Sequence, residues 1–336
     1  MPFLRILVLR LLTTAVTLVG VAVIVFVMIR VVPGNPVAMM LPPGATEADI
    51  ARLQALYGLD RSIPEQFAIW AAGVVQGDFG TSITTRQPVR TLVLGRLPAT
   101  LELSVMALVI ASAIGGGLAL AGTRMRGTRT EGAIDVANGM ALSVPDFLWG
   151  LVFILLFGVL WPVFHISGRV SPALDIQFAT NFLLFESVLR LRFDIWADLV
   201  AHMFMPALAL AIPLAAVIAQ LLKQSLKETM HLDYVTLART KGYGENHVIL
   251  REALPNAILP TLTLVGVQFT FLIGGTVIIE RLFSYEGLGN LAIDAVINRD
   301  LPLIQGIVLL FAALFTAVNL LVDLAYAALN PRLRHG

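Results

Sequence analysis

Asp233–Pro260 reads DYVTLARTKGYGENHVILREALPNAILP, a polar, glycine-broken stretch set between two long apolar runs. Its first part, LDYVTLARTKG (residues 232–242), predicts a short helix that stops at Gly242, with Lys241 favourably near the C-terminal end of the helix dipole. Tyr234, Leu237, Ala238 and Lys241 fall at i, i+3, i+4 and i+7 and so share one face. ENHVILREALPNAIL (residues 245–259) restarts the pattern, with Leu250, Ala253, Leu254, Ala257 and Ile258 as its apolar stripe. Glu245 and Asn246 stand where they can cap that second helix. Two short helices at an angle, joined by GYG, would form a knob that fits a partner's groove. The same spacing also fits an interfacial connector packed under a bundle.

The flanking runs set the class. The chain has 336 residues, is 57% hydrophobic and only 13% charged, with a mean hydropathy of +0.85. Soluble domains are about 45–50% apolar and about 25% charged, so this balance predicts an all-α integral membrane protein. A net charge of +1 offers no concentrated basic surface for nucleic acid. Without cysteine there is no thiolate nucleophile, disulfide or Cys metal site. Six stretches supply the ~20 apolar residues that a helical span needs: residues 11–31, 98–121, 134–160, 201–222, 258–279 and 303–329. The first is too long for a signal-peptide core and lacks a small-residue cleavage site after it, so it should remain as an anchor. Arg5 and Arg10, Arg124, Arg126 and Arg129, Lys223 to Arg251, and Arg332 and Arg334 then fall on one side. By the positive-inside rule both termini and the Asp233–Pro260 stretch are cytoplasmic.

The opposite side carries longer loops. TEADIARLQALYG (residues 46–58) and SIPEQFAIWAAGVVQG (residues 62–77) each pair a capping signal with a glycine stop, and predict two short helices. With GDFGTSITTRQPV (residues 77–89) they form a small cap, packed through Phe67, Trp70 and Phe79. Residues 161–200 place Phe185, Val188, Leu189 and Arg192 near one face of a further short helix. Gly115 to Gly117, Gly266, Gly274 and Gly275 mark close helix approaches, and Pro206 and Pro213 should bend the fourth span.

Glu102, Asp135, Asp146, Glu280 and Asp323 lie in or beside the spans and are site candidates by position. They read either as interfacial carboxylates paired locally or as a relay, although no ladder of acids or histidines runs through several spans. The five histidines form no HxxxH or HExxH pair, so no metal site is expected. GxSxG and phosphate-loop motifs are missing, so no catalytic residue is assigned and an enzyme is not expected. A stand-alone secondary transporter or channel should show inverted repeats or ionisable ladders. A membrane scaffold would not need a rigid cytoplasmic knob.

At these residues the sequence resembles the permease subunits of binding-protein-dependent ABC importers of the peptide/nickel class. Asp233–Pro260 is similar to their cytoplasmic coupling loop, whose motif is an acid, two alanines, a glycine and a downstream Leu-Pro. Ala238, Gly242, Leu254 and Pro255 match that motif; Thr236 takes the place of the acid, Leu237 of the first alanine, and Glu252 of an aliphatic residue. VVPGNPV, GLDRSIPEQF, QGDFGTSITTRQPV, RLPATLELSV, the GVQFTF…LIQG run and NLLVDLAYAALNPRLRH resemble family segments in the same order. SGRVS and HMFMPALALAIPLAAVIA are most like the dipeptide-permease branch.

The resemblance implies a six-span, type I ABC-importer permease bundle. Residues 1–32 would be the N-terminus and first span, and 33–97 an external helical cap. Residues 98–329 would be a five-span core with its coupling loop at 223–257, and 330–336 a cytoplasmic tail. It further implies a bacterial inner-membrane location, a second homologous permease in a heterodimer, two ATPase subunits and an external substrate-binding protein. ATP and Mg would reside in the ATPases, with no cofactor in this chain. Cargo would be dipeptides or short oligopeptides, with glutathione, a nickel complex or haem as alternatives. Tyr234, Leu237, Ala238, Arg239, Lys241, Gly242, Glu245, Leu254 and Pro255 would meet the ATPase. Asp78, Phe79, Thr81, Ser82, Arg86 and Arg90 would meet the binding protein. Asp146, Trp149 and Gln268 would line the path.

Overall fold

The computed structural model describes residues 2–31, 46–48 and 60–329. The expected helix at residues 46–58 beyond residue 48, the VVPGNPV segment beyond Val31, the tail and the Asp323 side chain lie outside what it describes. Among the described residues the regular structure is helical, apart from one isolated bridge between Thr81 and Pro88. The helices are α1 (Pro2–Val31), α2 (Ile63–Val75), α3 (Val89–Arg124), α4 (Arg129–Ser143), α5 (Asp146–Phe153), α6 (Leu183–Leu189), α7 (Phe193–Thr229), α8 (Asp233–Thr240), α9 (Leu254–Leu282), α10 (Leu288–Ile297) and α11 (Leu301–Leu329).

Val89–Arg124, Phe193–Thr229, Glu245–Leu282 and Leu301–Val322 are each long and apolar enough to cross a bilayer, and α1 carries the apolar stretch Leu12–Val27. The expectation of six spans is compatible with these helices. The helices outrun the apolar stretches that announced them: α7 has 37 residues, about 55 Å at 1.5 Å per residue, against a hydrocarbon thickness of about 30 Å. Helix α7 passes through both Pro206 and Pro213 without ending.

The third expected span is corrected. Instead of one helix over residues 134–160, α4 and the Asp146–Leu160 segment meet at 101°. Pro145 explains the break: it has no N–H to donate and forces the preceding residue out of helical geometry. Val144 is extended accordingly, at φ −104° and ψ 122°. Beyond Phe153 the segment widens into π-helical turns, Ile154–Leu160.

The described residues divide into two compact units, those within 2–97 with 291–317, and those within 98–290 with 318–329. In the first, Phe26 of α1 packs against Phe67 and Trp70 of α2, with ring centroids 5.2 and 5.4 Å apart. In the second, the core is built on α7, whose alanines and methionines (Met203, Met205, Ala207, Ala211, Ala215) pack against Leu103, Ala107 and Ala111 of α3 and Leu272 and Ile279 of α9. Small side chains let these helices approach closely. Gly115 marks a close approach of α3 to α7: a Cβ there would lie 2.5 Å from the carbonyl oxygen of Ala215 and 2.9 Å from Ile218 Cβ.

The carboxylates near the spans are bonded, and most of their partners are distant in sequence. Buried Glu102 accepts from Arg169 Nη2 at 2.7 Å and from the Leu184 N–H at 2.9 Å. Glu280, fully buried, accepts from the Thr100 hydroxyl at 2.6 Å and the Gly289 N–H at 2.7 Å, rather than pairing with its neighbour Arg281. Asp135 pairs with Lys223 at 2.8 Å. The short helix α6 turns its apolar side chains outward. Phe185, Val188 and Leu189 are exposed and Arg192 lies beyond its end, while Glu186 and Ser187 are buried. The Thr180 hydroxyl and the Ala179 and Thr180 amides donate to Glu186 and hold its carboxyl down to about 2. Burying the Glu186 carboxylate satisfies backbone amides that the loop would otherwise leave unpaired.

Replacing Gly115 with Ala should destabilise the chain by about 1–3 kcal/mol through overpacking. Gly116→Ala, where a Cβ meets nothing within 4 Å, should be neutral or stabilising. Thermal unfolding of both variants in detergent separates these outcomes; equal melting temperatures would refute the close approach.

Candidate functional site

The Asp233–Pro260 stretch begins with α8 and stops where the sequence indicates. Gly242 has φ +83°, its N–H donates to the Arg239 carbonyl at 2.9 Å, and the Tyr243 N–H donates to the Ala238 carbonyl at 3.4 Å. This pair of bonds is a Schellman ending, which needs a left-handed residue after the helix. A Cβ at Gly242 would meet nothing within 4 Å; the requirement is conformational.

The face assignment is corrected. Val235 and Ala238 turn inward, Ala238 being 4% exposed, whereas Tyr234, Leu237 and Lys241 look outward, with Leu237 54% exposed. The second part is corrected as well. Its cap is Gly244, not a side chain of Glu245 or Asn246. Its buried stripe is Val248, Ile249, Ala253 and Ala257, with Leu250 exposed and Leu254 packed at the edge. Rather than a free second helix, Glu245–His247 passes through a π-helical turn, Val248–Ala253, directly into α9. Pro255, in the first turn of α9, has no N–H for an ordinary helical bond, and the wider turn before it absorbs the mismatch.

The inward residues of both parts join Ala119, Leu222, Leu226 and Met230 in one apolar cluster. The segment is therefore bolted to the ends of α3 and α7. Arg239, expected at a partner contact, bridges the turn to Glu245, with Nη2 2.9 Å from Oε1. Asn256 donates to the Tyr234 hydroxyl at 2.8 Å, the Tyr243 and His247 rings stack at 4.5 Å, and Arg124 donates to Asn246. Together these make a braced surface on which Leu237, Lys241, Tyr243 and Leu250 are exposed. Sequence reasoning missed Val235, Val248 and Ile249 as its anchors; the signal was available in Val235, three residues before Ala238.

The loop at residues 77–90 is a compact turn. Asp78 Oδ1 accepts from the Gly80 N–H at 2.9 Å, and Arg86 has φ +57°. Asp78, Thr81, Arg86 and Arg90 are exposed and Phe79 is half-buried. Ser82 is buried, its hydroxyl donating to Asp300 at 2.5 Å, and Asp300 also accepts from the Thr84 N–H at 3.0 Å. The Ser82 side chain therefore fastens the loop from within. Asp300, a functional support that the sequence reading did not single out, sits immediately before α11.

Asp146 and Gln268 come together at a third place. With Pro145, Pro213, Phe271 and Gly275 they line a cleft of about 330 Å³. Asp146 Oδ1 accepts from the Phe147 N–H at 2.7 Å, at the start of α5. Trp149 is not part of that lining: its ring packs on Phe153 with centroids 6.0 Å apart.

Comparison with known proteins adds three findings. Residues 90–335 match the model of the binding-protein-dependent transport system inner membrane component family, and residues 3–104 match that of the N-terminal part of such membrane components. The chain is 38% identical over 326 residues to the dipeptide transport system permease protein of Escherichia coli K12, covering 95% of each. It is 36% identical over 321 residues to the di/tripeptide transport system permease protein of Pseudomonas aeruginosa, again 95% of each, and 34% identical to the glutathione transport system permease protein of Salmonella choleraesuis, 97% of each. Its fold matches a chain of the inward-facing MetNI methionine ABC transporter, with a TM-score of 0.53 and 13% identity over 69% of this chain and 93% of that one.

Gly242→Ala fills open space yet puts a side chain at positive φ, at about 1–2 kcal/mol. Hydrogen exchange should show faster opening of the Lys241–Tyr243 amides with α9 unchanged. Unaltered exchange at these amides would contradict the strained ending.

Proposed function

We propose that this chain, which belongs to the family of binding-protein-dependent transport system inner membrane components, carries dipeptides or short oligopeptides. It is the multi-pass inner-membrane permease subunit of an ABC importer, and hydrolysis of ATP falls to separate ATPase subunits. Membership sets aside the stand-alone transporter, the channel and the scaffold. The observation that carries the peptide reading is near-full-length identity of 36–38% to permeases named for dipeptides and di/tripeptides. A glutathione importer is the second reading, supported by the 34% relative.

In this proposal the braced surface of α8 and the following turn receives the ATPase. Leu237, Tyr234 and Lys241 make the contact. Gly242, Ala238, Leu254 and Pro255 shape it, and the Arg239–Glu245 bridge stiffens it. The apolar cluster beneath transmits the push to α3 and α7, because a rigid insert moves its anchors rather than deforming. The ATP-driven step shifts populations between states of the bundle and makes no covalent bond in this chain. ATP and Mg are held by the partners. Asp78, Phe79, Thr81, Arg86 and Arg90 face the binding protein, with Ser82 holding their loop. Asp146 and Gln268 offer passing peptides hydrogen-bonding groups, and Trp149 supports α5. A second, distinct permease completes the path, and both chain termini are cytoplasmic.

Gentle solubilisation followed by affinity purification should bring down two ATPase subunits and a second permease. The assembly in proteoliposomes, with its binding protein, should accumulate labelled dipeptide only with ATP. A chain that purifies alone, or uptake that continues without ATP, would contradict the proposal. Uptake of glutathione in preference to dipeptide would shift the cargo to the second reading.

A further inference from the structure

His165 is far in sequence from Asp198 and His202, yet the fold gathers the three. His165 lies in the loop that follows the π-helical turns at Ile154–Leu160, and Asp198 and His202 are one turn apart on α7. One donor atom from each lies within 4.8 Å of the other two. The two imidazoles lie flat against each other, with centroids 3.9 Å apart and planes at 9°. His202 is buried and Asp198 half-buried, while His165 is exposed, so the group is walled on one side and open on the other.

Each inner donor has a second partner that orients it. His202 Nδ1 lies 2.8 Å from the Asp198 main-chain carbonyl oxygen. That oxygen can only accept, so in the neutral ring Nδ1 carries the proton and Nε2 keeps its lone pair. Ser171 donates its N–H to Asp198 Oδ2 at 2.8 Å and its hydroxyl to Oδ1 at 2.6 Å. A carbonyl behind an imidazole and a hydroxyl behind a carboxylate are the outer partners that fix metal ligands. Asp198 Oδ2 also lies 3.4 Å from His202 Nδ1, so the carboxylate and that imidazole are already held side by side.

We propose that His165, Asp198 and His202 form a binding site for a divalent first-row transition cation of the zinc type. Two imidazole nitrogens and one carboxylate oxygen suit such ions, whereas calcium and magnesium take oxygen ligands. Three protein ligands leave a fourth position for water. Bonds of about 2.0–2.2 Å place tetrahedral donors about 3.4 Å apart, and an imidazole lone pair lies in its ring plane, so the stacked rings do not both point at one ion as they stand; His165, on its exposed loop, must swing out of the stack as well as draw in. The bound ion would clip that loop to α7, the central helix of its unit. Nothing in this assignment depends on the cargo.

The full-length chain, purified in detergent with a tag free of histidine and stripped with chelator, would be titrated with zinc chloride by calorimetry and by thermal unfolding. One saturable zinc per chain and a raised melting temperature are expected. His165→Ala and His202→Gln should each weaken binding at least tenfold, and Ser171→Ala, which leaves every ligand in place, by about tenfold. His247→Ala should leave it unchanged. His165 is exposed, and size-exclusion of its variant verifies folding. Absence of micromolar zinc binding in the natural chain, or binding that survives His165→Ala and His202→Gln unweakened, would overturn the site.

Discussion

Hydrocarbon offers no hydrogen-bond partner, so a chain of this composition must satisfy every backbone donor and acceptor internally. The spans do so as helices. The breaks between them need other partners, and here buried or partly buried carboxylates recur in that role. Glu102 takes the Leu184 amide, Glu280 the Gly289 and Asn290 amides, Glu186 the Ala179 and Thr180 amides, and Asp300 the Thr84 amide. These acids fasten loops within their own units. A relay through the bundle would need acids with free lone pairs facing one another, and these are committed to amides and hydroxyls.

The Asp233–Pro260 segment obeys the same constraint. Its helix ends with a glycine that returns two carbonyls to amides, and its restart leans on a π-helical turn ahead of Pro255. What sets it apart is the division of its faces. Val235, Ala238, Val248, Ile249 and Ala253 are spent on the cluster with α3 and α7. Tyr234, Leu237 and Lys241 are left outward. In the proposed function a surface anchored this way transfers displacement to the spans, as an importer whose energy source lies in another subunit requires.

Much of this was legible in the sequence. Long apolar runs announced the spans, because hydrocarbon length is a counting constraint, and Gly242 announced the end of α8, because few residues accept positive φ. The reading of faces was less successful. Ala238 sits on the boundary between faces at i+4 from Tyr234, and the neighbouring β-branched Val235 carried the true inward direction. The Pro145 break was hidden inside an apolar run, where hydropathy cannot distinguish one span from two pieces. The His165–Asp198–His202 group, the Arg169–Glu102 pair and the Ser82–Asp300 bond were not legible, since each joins residues that only the tertiary fold brings together. The resemblance supplied partners and a direction of work, which no single chain displays.

The central claim is that the outward face of α8 meets the ATPase. The chain has no cysteine, so a single Leu237→Cys carries a short photo-crosslinker without competing sites. In the assembled importer, illumination should join this chain to an ATPase subunit, with a yield that changes between nucleotide-free and ATP-bound states. Cross-links to the binding protein, or none to the ATPase in either state, would contradict the account.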